Sequence, residues 1–252
     1  MKSIGIIPAR YASSRFEGKA LADIFGKPMV QHVYENACKS KMLSQVIVAT
    51  DDNRIYNAIK NIGGNVQMTG EFSTGSDRVS YVAEKLPCDI VVNIQGDEPL
   101  LEPEQIDMML QPFVNRPDVQ VCTLKERIHT LEDYLDRNVV KVVTNLNGDA
   151  LYFSRGTIPC TPINKQLNFN ENMPVFKHIG LYAFRKEQLL AFTSWEQTTY
   201  EIIEGLEQLR FLENGIPIHV VETDTTLIGV DVPADLERVK QILKMRGIEG
   251  ND

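Results

Sequence analysis

Short apolar runs that alternate with stretches of helical period constrain this chain more than any other feature. "SIGIIPA" (3–9), "QVIVAT" (45–50) and "CDIVVNIQGDEPLL" (88–101) read as buried strands, with "NVQMTG" (65–70) as a further one. Between them, "MVQHVYENACKSK" (29–41) sets Met29, Val33, Ala37 and His32 along one helix side, with Pro28 near the first turn. Residues 54–62 predict a second helix stopped by Gly63-Gly64, and "DRVSYVAEKL" (77–86) a third. Strand–helix alternation at this spacing demands βαβ units, hence parallel pairing with helices on both faces. Ligands of such sheets lie beyond the carboxyl ends of the strands, so Arg10, Asp51 and Asp97 are expected at one rim.

Beyond residue 120 the pattern changes. "VQVCTLKERI", "NVVKVVTNLNGDALYFSR" and "KHIGLYAFR" predict strands, with Asn147-Gly148-Asp149 as a hairpin turn. "EIIEGLEQLRFLENG" predicts one amphipathic helix closed by Asn214-Gly215, "IPIHVVET" a strand, and "VPADLERVKQILKMRG" a terminal helix with Pro233 near its start. Residues 160–176, rich in Pro, Asn and Thr, are the expected mobile loop.

The chain of 252 residues is 43% hydrophobic, enough for one large domain or a main domain with a lobe. With 34 acidic against 26 basic residues its net charge is −8, which argues against nucleic-acid and anionic-membrane binding. The four cysteines form no CxxC pair and are expected as reduced, mostly buried thiols. No signal pattern or membrane-length apolar run occurs, so a cytoplasmic protein is expected.

An acidic chain nevertheless gathers Arg10, Arg15 and Lys19 directly after its first strand, in "PARYASSRFEGK". Backbone N–H groups, two serines, Gly18 and three cations can form a concave anion site for a polyphosphate; the alternative is a solvated surface loop. GxxxxGK[ST] and GxGxxG are both absent, which disfavours an ordinary NTPase and a nicotinamide oxidoreductase. Asp97 and Asp231 each follow small or apolar residues, in "QGDEP" and "GVDVP". Each can be a cap or turn residue; together they would suit Mg²⁺ among substrate phosphates. Asp235 reads first as a first-turn helix acid.

"IIPARYASSRFEGKALADIFGKPM", "NIQGDEPL" and "GVDVPADLERV", with "RNVVKVV", "ALYFSR", "KHIGLYAFR" and "LEQLR" in this order, resemble the 3-deoxy-manno-octulosonate cytidylyltransferases from residue 3 to about 245. The resemblance implies an α/β three-layer sandwich with a mainly parallel, Rossmann-like sheet of the nucleotide-diphospho-sugar transferase type and a smaller second lobe. It divides the chain into a nucleotide-binding part (1–120), an acceptor-sugar and dimerisation lobe (121–226), and a return with the C-terminal helix (227–252). The implied reaction is CMP transfer from CTP to the anomeric hydroxyl of 3-deoxy-D-manno-octulosonate, with pyrophosphate released.

The same resemblance implies Asp97 and Asp231 as magnesium ligands, and Arg10, Arg15, Lys19 and Asp97 as the catalytic set. Nucleotide binding falls to Pro8, Ala9, Arg10, Ser73, Gly75 and Ser76, where Ser76 also suits a helix cap. Arg78, Gln95, His178, Tyr182, Glu207 and Gln208 are the implied acceptor-sugar residues. Alternatively His178 is a structural histidine, Tyr182 and Phe184 are core, and Glu207 with Arg210 is a surface pair. Relatives are typically homodimers, and "LYFSRGTIP" with "VVKVV" would supply part of the interface.

The chain departs from the family at Glu17 and Ala20, where proline is usual, at Asp136-Arg137, and in "IPCTPINKQ". Losing two prolines leaves the first loop less pre-organised. An 8-amino analogue is the alternative acceptor. A nine-carbon acidic sugar and a non-catalytic sugar-nucleotide-binding protein are the rival readings.

Overall fold

The computed structural model describes residues 1–12, 15–160 and 174–248. In chain order the strands are β1 (Ser3–Ala9), β2 (Asp23–Ile24), β3 (Lys27–Pro28), β4 (Leu43–Thr50), β5 (Val66–Met68), β6 (Ile90–Asn93), β7 (Val121–Arg127), β8 (Lys141–Thr144), β9 (Ala150–Ser154), β10 (Phe176–Arg185) and β11 (Ile218–Glu222). The helices are α1 (Met29–Ala37), α2 (Asn53–Asn61), α3 (Gly75–Glu84), α4 (Pro103–Asn115), α5 (Leu131–Leu135), α6 (Lys186–Ser194), α7 (Thr199–Glu204), α8 (Leu209–Glu213) and α9 (Pro233–Met245). The chain divides into two compact units: Met1–Asp107 with Arg185–Thr193 and Leu227–Asp252, and Met108–Phe184 with Ser194–Thr226.

In the first unit β6, β1, β4 and β5 lie side by side, all parallel, with Gly5 of β1 opposite both Val46 and Val92. Ile4, Ile6, Ile7, Val48 and Val91 are buried, which explains why these strands read as continuous apolar runs. The connections through α1 and α2 step one way along the sheet, and α3 carries the chain back across β1 to β6. Right-handed crossovers therefore put α3 on the face opposite α1 and α2, giving three layers. The order reverses at β1, so the crevice beyond the carboxyl ends of β1 and β6 is the topological switch point. Ala9 and Thr50 pair at that edge, as expected. α1 buries Met29, Val30, Val33, Tyr34 and Ala37, while His32 bonds the Ile24 carbonyl through Nε2 at 2.9 Å.

A second hydrophobic cluster in this unit joins Ile24, Met29 and Leu100 to Val230, Leu236, Val239 and Leu243. It docks α9 and fixes the residues leading to Asp231. Asp235 accepts from the backbone N–H of Asp231 at 2.9 Å and of Val232 at 3.0 Å, so the first-turn acid caps its own helix.

In the second unit β10 runs antiparallel to β7 and to β8, β9 pairs antiparallel with β8, and β11 is parallel to β7. The Asn147-Gly148-Asp149 turn joins β8 to β9, with Asn145 Oδ1 accepting from the Asn147 and Asp149 N–H groups. Phe184 stacks between Tyr182 and Phe211 at centroid distances of 5.7 Å.

Several local expectations need correction. The single helix expected over 201–215 is two short ones, because Gly205 adopts φ +62 and ends α7 in a left-handed turn. Helices α4, α5 and α6 are additions to the expected elements. Only Cys122 of the four free cysteines is buried; Cys38 and Cys160 are exposed. Most of the expected 160–176 loop, and Ser13 and Ser14, lie outside the described residues.

Candidate active site

The site residues of the first unit come from chain segments that end at the switch point. β1 delivers Pro8, Ala9 and Arg10, the segment after β6 delivers Gln95 and Asp97, and the segment before α9 delivers Asp231. A backbone hydrogen bond from the Val230 N–H to the Asp97 carbonyl, at 2.9 Å, ties the last two together.

The two acids converge on one cation. Lys19 Nζ lies 2.5 Å from Asp97 Oδ2 and 3.3 Å from Asp231 Oδ1, and donates also to the Val230 carbonyl at 3.2 Å. Arg15 Nη2 meets the other Asp231 oxygen at 3.0 Å. Two carboxylates and two cations thus balance in a partly exposed crevice. One oxygen of each acid lies within reach of the same ammonium, and carboxylate oxygen is a donor that suits a hard divalent cation. Glu98 differs in kind: its Oε2 is buried without a hydrogen bond, and burial, with Asp97 beside it, pushes the carboxyl up to about 8.

Arg10 is exposed at the mouth of a polar pocket of about 590 Å³ lined by Tyr11, Asp51, Thr69, Phe72 and Arg78 among others. Gly75 lies against Pro8: a methyl group there would touch Pro8 Cγ at 3.5 Å. Ser73 and Gly75 are exposed and Ser76 is buried. The cap of α3 is Thr74, whose hydroxyl accepts from the Asp77 N–H at 3.1 Å, and not Ser76.

Arg78 departs most from expectation. Its side chain is buried, 4% exposed, and its two guanidinium ends reach Thr69 Oγ1 at 2.5 Å and Asp51 Oδ2 at 2.6 Å. A guanidinium so held clamps the ends of β4 and β5 while it lines the pocket beside Arg10. Sequence reasoning misses Asp51 and Thr69 as its partners. Its only signal for them is an acid at the end of a strand.

In the second unit His178 projects from β10 with its Nε2 at 2.9 Å from Thr123 Oγ1. That hydroxyl is also 3.0 and 2.8 Å from the Ile179 and Leu181 carbonyls. Its one proton serves a carbonyl, so Nε2–H donates to it. Burial among Phe153 and Tyr182 lowers the imidazole to about 3, so the ring is neutral near pH 7. Burial, and then the Glu207 carboxylate, raise the Tyr182 hydroxyl well above its ordinary value. Glu207 and Gln208 fall between α7 and α8, and Gln208 is buried. Arg210, expected at the surface, is buried and pairs with the buried Glu201.

A cytidylyltransferase family model matches residues 4–222. A 3-deoxy-manno-octulosonate cytidylyltransferase of Geotalea uraniireducens (strain Rf4) is 52% identical, over 97% of this chain and all of that one. The protein of the same description from Geobacter sulfurreducens is 50% identical over equal shares. Among solved structures, CMP:2-keto-3-deoxy-manno-octonic acid synthetase complexed with CTP superposes with a TM-score of 0.91 at 40% identity, covering 98% of this chain and 100% of that one. A cytidylyltransferase from Leptospira borgpetersenii serovar Hardjo-bovis, 18% identical with a TM-score of 0.62 and covering 100% of this chain and 98% of that one, shares the fold.

Proposed function

The chain belongs to the 3-deoxy-manno-octulosonate cytidylyltransferases, and from that membership we infer that it joins CMP from CTP to the C2 hydroxyl of 3-deoxy-D-manno-octulosonate. The hydroxyl oxygen bonds to the α-phosphorus as the link to the β-phosphate oxygen breaks. Pyrophosphate leaves with that electron pair, and the hydroxyl proton passes to solvent. Such a transfer asks a protein mainly for positioning and charge stabilisation.

The observation that carries this reading is the convergence of Asp97 and Asp231 on the Lys19 ammonium. The same two acids fit a divalent ion and are the residues that would hold it, magnesium being the proposed metal. When bound, it supplies a Lewis acid that polarises the α-phosphate and makes the attacking hydroxyl more acidic. Lys19 and Arg15, paired with carboxylates before substrate arrives, and Arg10, exposed at the end of β1, are proposed to bind the phosphates and to offset the charge that builds during transfer. Pro8, Ala9, Ser73, Gly75 and Ser76 are proposed for the nucleoside, supported by the contact of Gly75 with Pro8.

Arg78, Gln95, His178, Tyr182, Glu207 and Gln208 are proposed for the acceptor, Arg78 by exchanging its Asp51 partner for the substrate carboxylate. For His178 the neutral ring, its one N–H taken by Thr123, offers an acceptor nitrogen, which suits a hydroxyl and not a carboxylate. The first unit is thus read as the nucleotide part and the second as the acceptor and dimerisation part. A CTP-consuming enzyme is proposed for the cytoplasm, where nucleoside triphosphates are made. Among the described residues no helix is long and apolar enough to cross a membrane.

Pyrophosphate release from CTP and magnesium is expected with 3-deoxy-D-manno-octulosonate, and the 8-amino analogue forms a second arm of the assay. Turnover with a neuraminate-type nine-carbon acid and with neither eight-carbon sugar would overturn the substrate.

Homodimerisation is proposed through the outer side of β9 and α7. Leu151, Ile202 and Ile203 are 61%, 64% and 73% exposed, and Tyr152 meets Tyr200 edge-on at 6.2 Å. Apolar exposure of this kind marks an association surface. Sedimentation should give twice the chain mass for the parent. Ile203→Glu is expected to raise the dissociation constant by at least about tenfold, the scale of one buried interface anchor. A parent that sediments as one chain excludes the dimer.

A further inference from the structure

The segment that carries Arg15 and Lys19 has Glu17 and Ala20 and no proline to stiffen it, yet its cations are set onto two acids. Something else must hold it. Gly18 takes φ +70 and donates its N–H to the Tyr11 carbonyl at 2.9 Å. Only glycine fits there: a Cβ would stand 2.9 Å from Tyr11 Cε2 and Cζ, besides adopting a strained backbone. The Tyr11 ring is therefore seated directly on the residue before Lys19.

That ring is held in turn. The Arg54 guanidinium carbon lies over its face, 3.2 Å from the centroid. Arg54 is the second residue of α2, and its orientation is fixed by a fork onto Asp52, Nε to Oδ1 at 3.0 Å and Nη2 to Oδ2 at 2.7 Å. Asp52 also accepts the Arg54 N–H at 2.8 Å, as the cap of α2. The Glu17 carboxylate is near enough for its charge to act on the same guanidinium. A chain of contacts thus runs from the end of β4 through Asp52, Arg54 and Tyr11 to Gly18 and Lys19.

We propose that Arg54 and Tyr11 form a brace that positions the cation-bearing segment from Arg15 to Lys19 for the triphosphate. They are positioning residues: the role rests on the phosphate-binding reading of Arg15 and Lys19 and adds to it the part that holds them in place. The Arg54 side chain is 56% exposed, and the carboxylate it leaves behind, Asp52, keeps the backbone N–H of residue 54 as its cap partner, so the fold should survive. What is lost is order before CTP arrives, and ordering a loop costs binding.

The experiment measures steady-state kinetics, melting and tryptic cleavage after Arg15, the last without nucleotide. For Arg54→Ala the KM for CTP should rise on the order of threefold, the scale of one exposed cation–π contact, with kcat within twofold of the parent. Cleavage after Arg15 should accelerate by a similar factor, since proteolysis follows local opening, while the melting temperature stays put. Tyr11→Leu should behave alike, and Tyr11→Phe, which keeps the ring, should restore the parent KM. The double variant Arg54→Ala/Tyr11→Leu should be no worse than the worse single one, the mark of two groups acting through one contact. Unchanged KM and unchanged cleavage in Arg54→Ala would overturn the brace, as would strictly multiplicative losses in the double variant. Cleavage is read without substrate, so a parent inactive on both eight-carbon sugars would count against the substrate and not against the brace.

Discussion

Asp97→Asn should lower pyrophosphate release by on the order of 10³-fold, the scale of removing one charge-stabilising group from a transfer site. The substitution is nearly isosteric. It keeps the strand-end geometry and the backbone bond between the Val230 N–H and the Asp97 carbonyl. It removes the negative charge that draws Lys19 to 2.5 Å and presents, at random between its two positions, an amide oxygen or an amide nitrogen to any cation. An amide oxygen is a weaker partner for a hard dication than a carboxylate. Stability should hardly change. Lys19 and Asp97 are both partly exposed, and Lys19 keeps Asp231 and the Val230 carbonyl as partners. The measurement is a magnesium titration of turnover beside a thermal melt. The variant should need far more magnesium and never reach the parent rate, with melting within a few degrees. Activity within tenfold of the parent would remove Asp97 from the metal and from the mechanism.

Asp97 is legible in the amino-acid pattern because it follows an apolar strand, and parallel topology sends such ends to one edge; Asp231 follows no strand and reaches that edge through the packing of Val230 and α9. β1, β4 and β6 are legible for a related reason: buried on both faces, they leave unbroken apolar runs. The partners of Arg78 are not legible, because local pattern records that a residue is cationic but not that Asp51 and Thr69 wait at two other strand ends. The Gly205 break is hidden since one glycine inside a helical period is ordinarily tolerated, and only the left-handed backbone shows that the helix stops. Thr74 and Ser76 are two hydroxyl residues two positions apart, a separation within which helix starts are rarely distinguishable from sequence. In α4 the spacing of Ile106, Met109, Leu110 and Phe113 is helical, but Pro112 lies inside it and argues against the element. The brace from Asp52 to Gly18 cannot be read at all, because stacking of a guanidinium on a ring leaves no periodic trace.

Arg210→Ala is expected to cost the second unit roughly 3–5 kcal/mol, the loss typical of leaving one partner of a buried ion pair alone, and so about 10 °C in melting temperature. Glu201 is 2% exposed and receives Arg210 Nε at 2.7 Å and a second, shorter contact from Nη2. Arg210 Nη1 reaches the Trp195 carbonyl at 3.3 Å, and Glu201 also accepts the Thr198 N–H at 3.1 Å, which caps α7. One substitution therefore strands a carboxylate inside a packed region and loosens a helix start. Burial pushes the Glu201 carboxyl up, but the Arg210 fork and the Thr198 N–H outweigh it, and the net position is below the ordinary carboxylate value. A carboxyl lowered on folding contributes stability that is fully present above its unfolded pKa of about 4.3 and is lost as pH falls through the lower folded value. In Arg210→Ala burial is opposed only by the Thr198 N–H and the Gln197 amide, the carboxyl rises, and protonation relieves the stranded charge. Urea unfolding at pH 7.5 should thus show the full loss, and at pH 4 a clearly smaller one. Replacing both partners, Arg210→Met with Glu201→Leu, should recover most of the difference at pH 7.5, because an apolar pair of similar volume leaves nothing uncompensated. A loss below about 1 kcal/mol at pH 7.5, or the same loss at both pH values, would mean that the pair is solvated and that α7 and α8 are held by apolar packing alone.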